Sequence, residues 1–348
     1  MADLYGRKIT RQQLLSLVGD LSQVAGVTLG ELKEGVESGV RTAEFRSGSG
    51  LRFTVLLDRG LDIGPAEYRG IPLAWISPTG FAHPARFEPE GLGWLRSFGG
   101  GLLTGCGLTY LGSPEVDEGE ALGLHGRLSN LPAQKVQVGE QWQGDECTFW
   151  LEGRLRQARV FGENLSLTRR ISVGLGESRI VIQDTVENLS HRPSPLMVLY
   201  HINLGFPMVD GDCLLEAEEH PVQPRDRQAE GGWPVWMNFR EPAPDYDEQV
   251  FYHDLPADQA GWVRMTLNNS NLGLKLTVLH KKDTLPNLVQ WKMMGSGEYV
   301  LGLEPANCLV EGRNKERRRG TLQTLQPGEQ RQFNLEILVE GLSDPLNP

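Results

Sequence analysis

The residues with the clearest chemical potential are one glutamate and two histidines set far apart in the chain. Glu304 lies in Leu301-Gly302-Leu303-Glu304-Pro305-Ala306-Asn307, where a strand-like run ends at a proline. A carboxylate at the end of a buried strand loses solvation. Its charged form is then disfavoured, and its pKa rises toward the range of a working general base. A strand end that turns the glutamate outward is the structural alternative. His201 stands in Leu199-Tyr200-His201-Ile202-Asn203-Leu204-Gly205, at the end of an apolar strand, and His125 in the glycine-flanked Gly123-Leu124-His125-Gly126-Arg127. An imidazole gives or takes a proton near neutral pH, although a lone one is more often a hydrogen-bonded core residue. His201, His125, Glu304, Asn203 and Arg127 together would supply an acid, a base and fixed donors from separate strands.

The elements that must position these groups read as strands. Thr10 and Gln13 have the form of a capping box for a short helix over residues 10–19, with Leu14, Leu15 and Val18 on its apolar face. Helical periodicity then almost disappears. Runs such as VRTAEFRSG, LRFTVLLD, SRIVIQDTVEN, MVLYHINLGF, NLVQWKMM and FNLEILVE alternate in strand fashion between turn residues. With 42 Gly and 21 Pro, the chain reads as all-β, a sandwich or barrel-like architecture of antiparallel strands. The segment from Gln223 to Asp247 is rich in Pro, Trp and charge. It is either a domain boundary or a long functional loop over a pocket, and strand-like runs on both sides favour one domain. A second irregular stretch, Ile76 to Pro132, contains Gly99-Gly100-Gly101 and Gly105-Cys106-Gly107, which suit tight turns lining a pocket.

Composition limits the function classes. There are 45 acidic and 34 basic residues and a formal charge of −11, which disfavours a nucleic-acid partner. Cys106, Cys147, Cys213 and Cys308 are widely spaced with no zinc-type pattern, so reduced thiols and no metal are expected. The first residues lack the apolar core of a signal peptide, and no window has the ~20 apolar residues of a membrane span. A cytoplasmic protein without a membrane partner, acting on a small polar or neutral ligand, is the expectation.

Three motifs in order resemble those of the aldose 1-epimerase (galactose mutarotase-like) superfamily, and most of all a bacterial aldose 1-epimerase-like branch of undefined substrate. GLHGR resembles the family's LHGG loop, YHINLGFP its second histidine segment, and GLEPAN its segment with the catalytic glutamate. DRGLDIG and FGGGLLTGCGL resemble stretches of that branch. The resemblance implies a galactose mutarotase-like antiparallel β-supersandwich with a short N-terminal helix. Residues 1–24 would form the helical segment and residues 25–348 a single domain with a sugar cleft. It implies carbohydrate metabolism by interconversion of the α and β anomers of an aldose, with no cofactor. Glu304 would be the base, His201 the acid, and His125 a sugar-holding group. A non-catalytic sugar binder on the same fold is the alternative.

Several positions depart from the family pattern. Arg127 replaces a glycine and would bind a sugar hydroxyl or an anionic group, or else form a structural salt bridge. His253 and Asp254 would fill the place of a sugar-binding aspartate. Arg59, in LLDRGLDIG, is a candidate sugar ligand or half of an internal Asp–Arg pair. Lys292, next to the strand of Glu304, would lower the pKa of that glutamate. Asn203 and Asn307 complete the candidate substrate ligands. Trp233 and Trp236 are the tryptophans expected to stack on a sugar face. The run Arg313 to Arg319 reads as a solvated surface face. A homodimer is left open.

Overall fold

Alternation of buried and exposed residues runs through the longest strands. Glu146–Ala158 and Arg179–Asn188 place every second side chain inward, as a half-buried strand must. The computed structural model describes residues 1–341. Among them, an eight-stranded antiparallel sheet packs against a six-stranded antiparallel sheet, and a five-stranded sheet from residues 26–72 closes one side. Leu165, Leu167, Phe333 and Ile337 of the larger sheet share one apolar core with Val198, Tyr200, Ile202, Leu301 and Leu303 of the smaller one.

The smaller sheet carries the candidate chemistry. Its strands run, in spatial order, Val222–Pro224, Gln249–His253, Asn287–Gly295, Glu298–Ala306, Met197–Gly205 and Thr104–Leu108. All nine residues of Met197–Gly205 are buried, so both faces of this strand are covered. One face meets the larger sheet. The other, with Met197, Leu199, Cys106, Val250, Val289 and Ala306, belongs to a separate apolar cluster beneath loops from the irregular stretch.

The N-terminal helix spans Arg11–Leu17 and has the capping box expected from its sequence. The Thr10 hydroxyl accepts from the Gln13 amide while the Gln13 side chain accepts from the Thr10 amide. It is preceded by a two-stranded hairpin, Ala2–Leu4 with Arg7–Ile9. Leu4, Leu14 and Leu21 from this region pack into the main core.

A buried polar network lies between the two large sheets, directly behind His201 in the chain. Arg169 is fully buried and donates to both carboxylate oxygens of Asp184, with its shortest contact at 2.7 Å. The Tyr200 hydroxyl donates to Asp184 at 2.7 Å, and Arg169 also donates to the Gly60 carbonyl at 3.0 Å. Asp62 accepts from the Gly105 amide at 2.8 Å and lies 3.6 Å from Arg169. Removing one member of such a network leaves an uncompensated buried charge. Arg169→Leu should therefore destabilise the chain by about 3–5 kcal/mol, read as a lower urea midpoint at unchanged slope. A loss below about 1 kcal/mol, the scale of an exposed ion pair, would show that water reaches Asp184.

Candidate functional site

The register of the central strands brings Glu304 and His201 side by side. Leu199 pairs with Ala306 and Ile202 with Leu303, which brackets His201 opposite Glu304; Val289 flanks Glu304 on its other side. Side chains of a strand alternate between faces. Glu304 and His201 therefore share the cleft face, while Leu303 and Tyr200 enter the core. His201 Nε2 lies 3.1 Å from Glu304 Oε1. The alignment does not make a hydrogen bond, and Glu304 Oε1 and His201 Nδ1 are buried without a protein partner. Gly302 creates the room for this carboxylate. A Cβ there would sit 2.5 Å from Glu304 Oε1 and 3.0 Å from Trp291 Cβ.

His125 reaches the same cleft from a loop. Its backbone is left-handed, with φ of 54°. The conformation is held by its amide bond to the Gly112 carbonyl and by its carbonyl accepting from Gly107. Such a φ is uncommon for a residue with a side chain and needs a surrounding structure that fixes it. The ring packs edge-on to Trp94 at 4.9 Å and lies 6.3 Å from the His201 ring, and its Nδ1 is also buried without a partner. The helix Arg313–Arg319 braces this loop. Arg313 is buried and donates to Asp117 at 2.6 Å and to Glu120 at 2.9 Å, while Arg317 donates to Asp117 at 2.8 Å. The basic run is thus tied in part into an ion network rather than being only a solvated face.

The cleft has a volume of about 650 Å³. Trp75, Phe98 and Trp291 form a continuous aromatic wall, with ring centroids 5.8 to 6.3 Å apart, and Phe98 and Trp291 pack on His201 at 5.2 and 5.3 Å. At the rim, Arg225 donates to Glu248 at 2.9 Å and to Asp226 at 2.8 Å, and the Trp291 indole donates to Glu248 at 2.8 Å. Burial pushes Glu304 well above the usual carboxylate range; Glu248 adds to the rise and Arg225 opposes it. Burial pulls His201 down to about 3, and His125 adds to the fall while Asn203 opposes it. Burial likewise pulls His125 down to about 4, with Arg225 contributing. Burial thus disfavours the charged form of both partners, the carboxylate of Glu304 and the imidazolium of His201.

Six other candidate ligands lie away from the cleft lining. Arg127 is exposed and outside the cleft lining, and no ion pair of its side chain occurs among the described residues. Asn203 shares the strand face of His201 but is fully buried, donating to the carbonyls of Gly101 and His201. Arg59 is buried and donates to the carbonyls of Ala82 and Ser97 and to the Asn130 side chain; Asp58 pairs with Arg41 instead. Asn307 accepts from the Val198 amide and donates to the Leu196 carbonyl. His253 and Lys292 lie on the opposite sheet face. Trp291 occupies the cleft face, so its neighbour Lys292 must point away, and its ammonium donates to the carbonyls of Val235 and Asn238. Lys292 is consequently absent from the groups that shift Glu304.

The long segment after Gln223 contributes to the cleft through its ends, Arg225 and Tyr246 to Glu248. Its middle crosses behind the sheet, where Trp236 packs on His253 and its carbonyl accepts from Gln290. Trp233 is half exposed and outside the lining, so Trp75, Trp94 and Trp291 take the place expected for Trp233 and Trp236. Trp291 had a sequence signal, since it alternates in step with Val289 on the strand beside Glu304. Arg225, Glu248, Trp75 and Phe98 had none, because their approach depends on how distant loops fold back. Gly99, Gly100 and Gly101 serve close backbone packing; a Cβ at any of them would clash with a carbonyl of Gly80, Trp75 or Ile63. Among the described residues, no group of three or more His, Cys, Asp or Glu side chains is placed to hold a metal ion.

Comparison with solved structures shows the same fold. A putative aldose 1-epimerase from Klebsiella pneumoniae superposes with a TM-score of 0.87 at 24% identity, covering 96% of this chain and 88% of that one. A galactose mutarotase-like protein from Clostridium acetobutylicum gives 0.61 at 13% identity over 92% and 99% of the two chains. Galactose 1-epimerase from Lactobacillus acidophilus gives 0.58 at 13% identity over 91% and 99%. No curated protein matches by sequence. The fold is thus a galactose mutarotase-like β-sandwich. Residues 37–339 match the family described as domain of unknown function DUF4432, and the chain belongs to that family.

Proposed function

We propose that the chain is an isomerase of the aldose 1-epimerase type that interconverts the α and β anomers of a free aldose. The observation that supports this best is the convergence of Glu304, His201 and His125 on one aromatic-walled cleft, with Glu304 Oε1 and His125 Nδ1 buried without a protein partner. Buried polar atoms cost free energy unless something pairs with them, and sugar hydroxyls would do so. The names of the similar structures point the same way.

The reaction requires one proton to leave the C1 hydroxyl and another to reach the ring oxygen. Both oxygens are bonded to the same carbon, so base and acid must stand within a few ångströms of each other. The 3.1 Å approach of Glu304 and His201 meets that condition. Burial disfavours the charged forms of both groups, so a proton held by the pair is favoured on Glu304 over His201. Its passage to His201, favoured by sugar hydroxyls that solvate the carboxylate, creates the active form. Glu304 then accepts the C1 hydroxyl proton, and His201 protonates the ring oxygen as the C1–ring oxygen bond breaks. The freed aldehyde rotates, and reversal of both transfers closes the ring from the other face. His125 holds a hydroxyl near C1, while the wall of Trp75, Phe98 and Trp291 covers the apolar face of the sugar.

A non-catalytic sugar binder is the second reading, because burial disfavours the carboxylate form that a base needs at Glu304. Anomer exchange measured by NMR across free aldoses separates the two. Glu304→Gln should lower the exchange rate by about 10²–10⁴-fold while sugar binding persists. Equal rates in wild type and variant for every aldose would leave the binder. Gly302→Ala should displace the carboxylate and reduce kcat by up to about 10²-fold. Unchanged kcat in that folded variant would mean that the position of Glu304 does not matter.

The pH profile follows from the shared proton. Above about pH 3, where His201 is neutral, and below the raised pKa of Glu304, the pair holds one proton and is competent. The rate constant kcat/KM should be level across that window. It should fall on the alkaline side as the last proton leaves, well above pH 4.5. A profile that instead rises with pH through an ordinary carboxylate value would show an exposed, independent glutamate.

A further inference from the structure

On the sheet face away from the cleft, two histidines form a hydrogen-bonded chain that the proposed reaction does not use. His220 Nδ1 lies 2.6 Å from the Glu218 carbonyl oxygen, and His220 Nε2 lies 2.8 Å from His253 Nδ1. His253 Nε2 lies 3.1 Å from Gln290 Oε1, and Gln290 Nε2 donates to the Trp236 carbonyl at 2.9 Å. Both ends of the chain are carbonyl oxygens, which only accept. This fixes the Gln290 amide, since turning it over would set its oxygen against that of Trp236. His253 must then donate from Nε2, and its Nδ1 accepts from His220 Nε2. His220 still faces the Glu218 carbonyl with Nδ1. Three contacts need a hydrogen each, and two neutral imidazoles supply only two.

We propose that His220 and His253 form a proton-binding site whose third proton makes His220 an imidazolium and latches the edge of the cleft. Burial pushes His253 down to about 3, with His220 adding to the fall and Gln290 opposing it, so the charge resides on the less buried His220. The other charged groups of these elements are turned elsewhere. Glu218 and Glu219 have exposed side chains, Asp254 pairs with Lys282, and Lys292 is directed at the carbonyls of Val235 and Asn238. No carboxylate thus competes with the Glu218 carbonyl for the His220 proton among these contacts.

The latch acts on two strands of the cleft wall. Val222 pairs with His253, the Asp254 amide donates to the Pro221 carbonyl at 3.1 Å, and the Arg225 amide donates to the Val250 carbonyl at 2.9 Å. Those strands lead directly to Arg225 and Glu248, the ion pair at the rim. With three protons every contact carries a hydrogen. Loss of one leaves two acceptors facing each other, so the latch is closed on the acid side and loosens as pH rises.

Nitrogen-15 NMR of the imidazole rings in the full chain tests this independently of any activity, with His220→Gln and His253→Gln used for assignment. His253 should stay in the neutral Nε2–H form. His220 should carry protons on both nitrogens on the acid side and lose one as the pH rises. Through that step, the protection of the Arg225 and Asp254 amides against hydrogen exchange should fall by about tenfold, the scale of losing one charged hydrogen bond. In His220→Gln the protection should no longer follow pH. If these variants do not fold, backbone-linked assignment of the wild-type rings gives the same reading. A His220 that is neutral over the whole range, a His253 protonated on Nδ1, or protection that is constant through the titration would overturn the proposal.

Discussion

The strand Met197–Gly205 and residues 300–306 of Glu298–Ala306 are covered on both faces, and the rest of the site depends on that constraint. One face of each is committed to the core against the larger sheet. The other must then take whatever polar groups the sequence places at alternate positions and hold them away from water. Glu304 and His201 are those groups. Their proximity comes from strand register, which the inward-facing Leu301, Leu303, Ile202 and Leu204 enforce, because a shift by one residue would exchange core and cleft faces. Dehydration then acts on both partners in the same direction, against their charged forms.

Two buried polar systems serve this arrangement from either side. Behind the sheet, Arg169 and Asp184 fix the Tyr200 hydroxyl, so the residue next to His201 has little freedom. Above it, Arg59 gathers the carbonyls of Ala82 and Ser97, and Ser97 precedes the Phe98 of the aromatic wall. Arg313 couples the segment following the Glu304 strand to the hairpin before His125. These arginines bind backbone and carboxylates of the chain itself. The cation at the rim, Arg225, is engaged by Asp226 and Glu248.

The fold was legible because period-two alternation and turn residues dominate the chain, and the capping box of the first helix rests on local contacts alone. Glu304, His201 and His125 stood out because their chemistry is rare inside apolar or glycine-rich runs. The substrate ligands were less legible. Arg59, Asn203, Asn307 and Lys292 are polar residues in apolar surroundings too, but a sequence does not say whether such a group meets a ligand or a backbone carbonyl. Lys292 could have been placed by counting faces from Trp291, since neighbours on one strand cannot both enter the cleft. Arg225 and Glu248 could not, because their meeting depends on the return of a long segment across the sheet.

The central claim is that Glu304 and His201 share one proton, held on Glu304 until a sugar arrives. Infrared difference spectroscopy of wild type against Glu304→Gln, near neutral pH, reads the protonation of that single carboxyl directly. The account predicts a carboxylic acid carbonyl band in the empty protein that gives way to carboxylate absorption when a bound aldose is present. A carboxylate signal in the empty protein, or an acid band that no sugar alters, would contradict it.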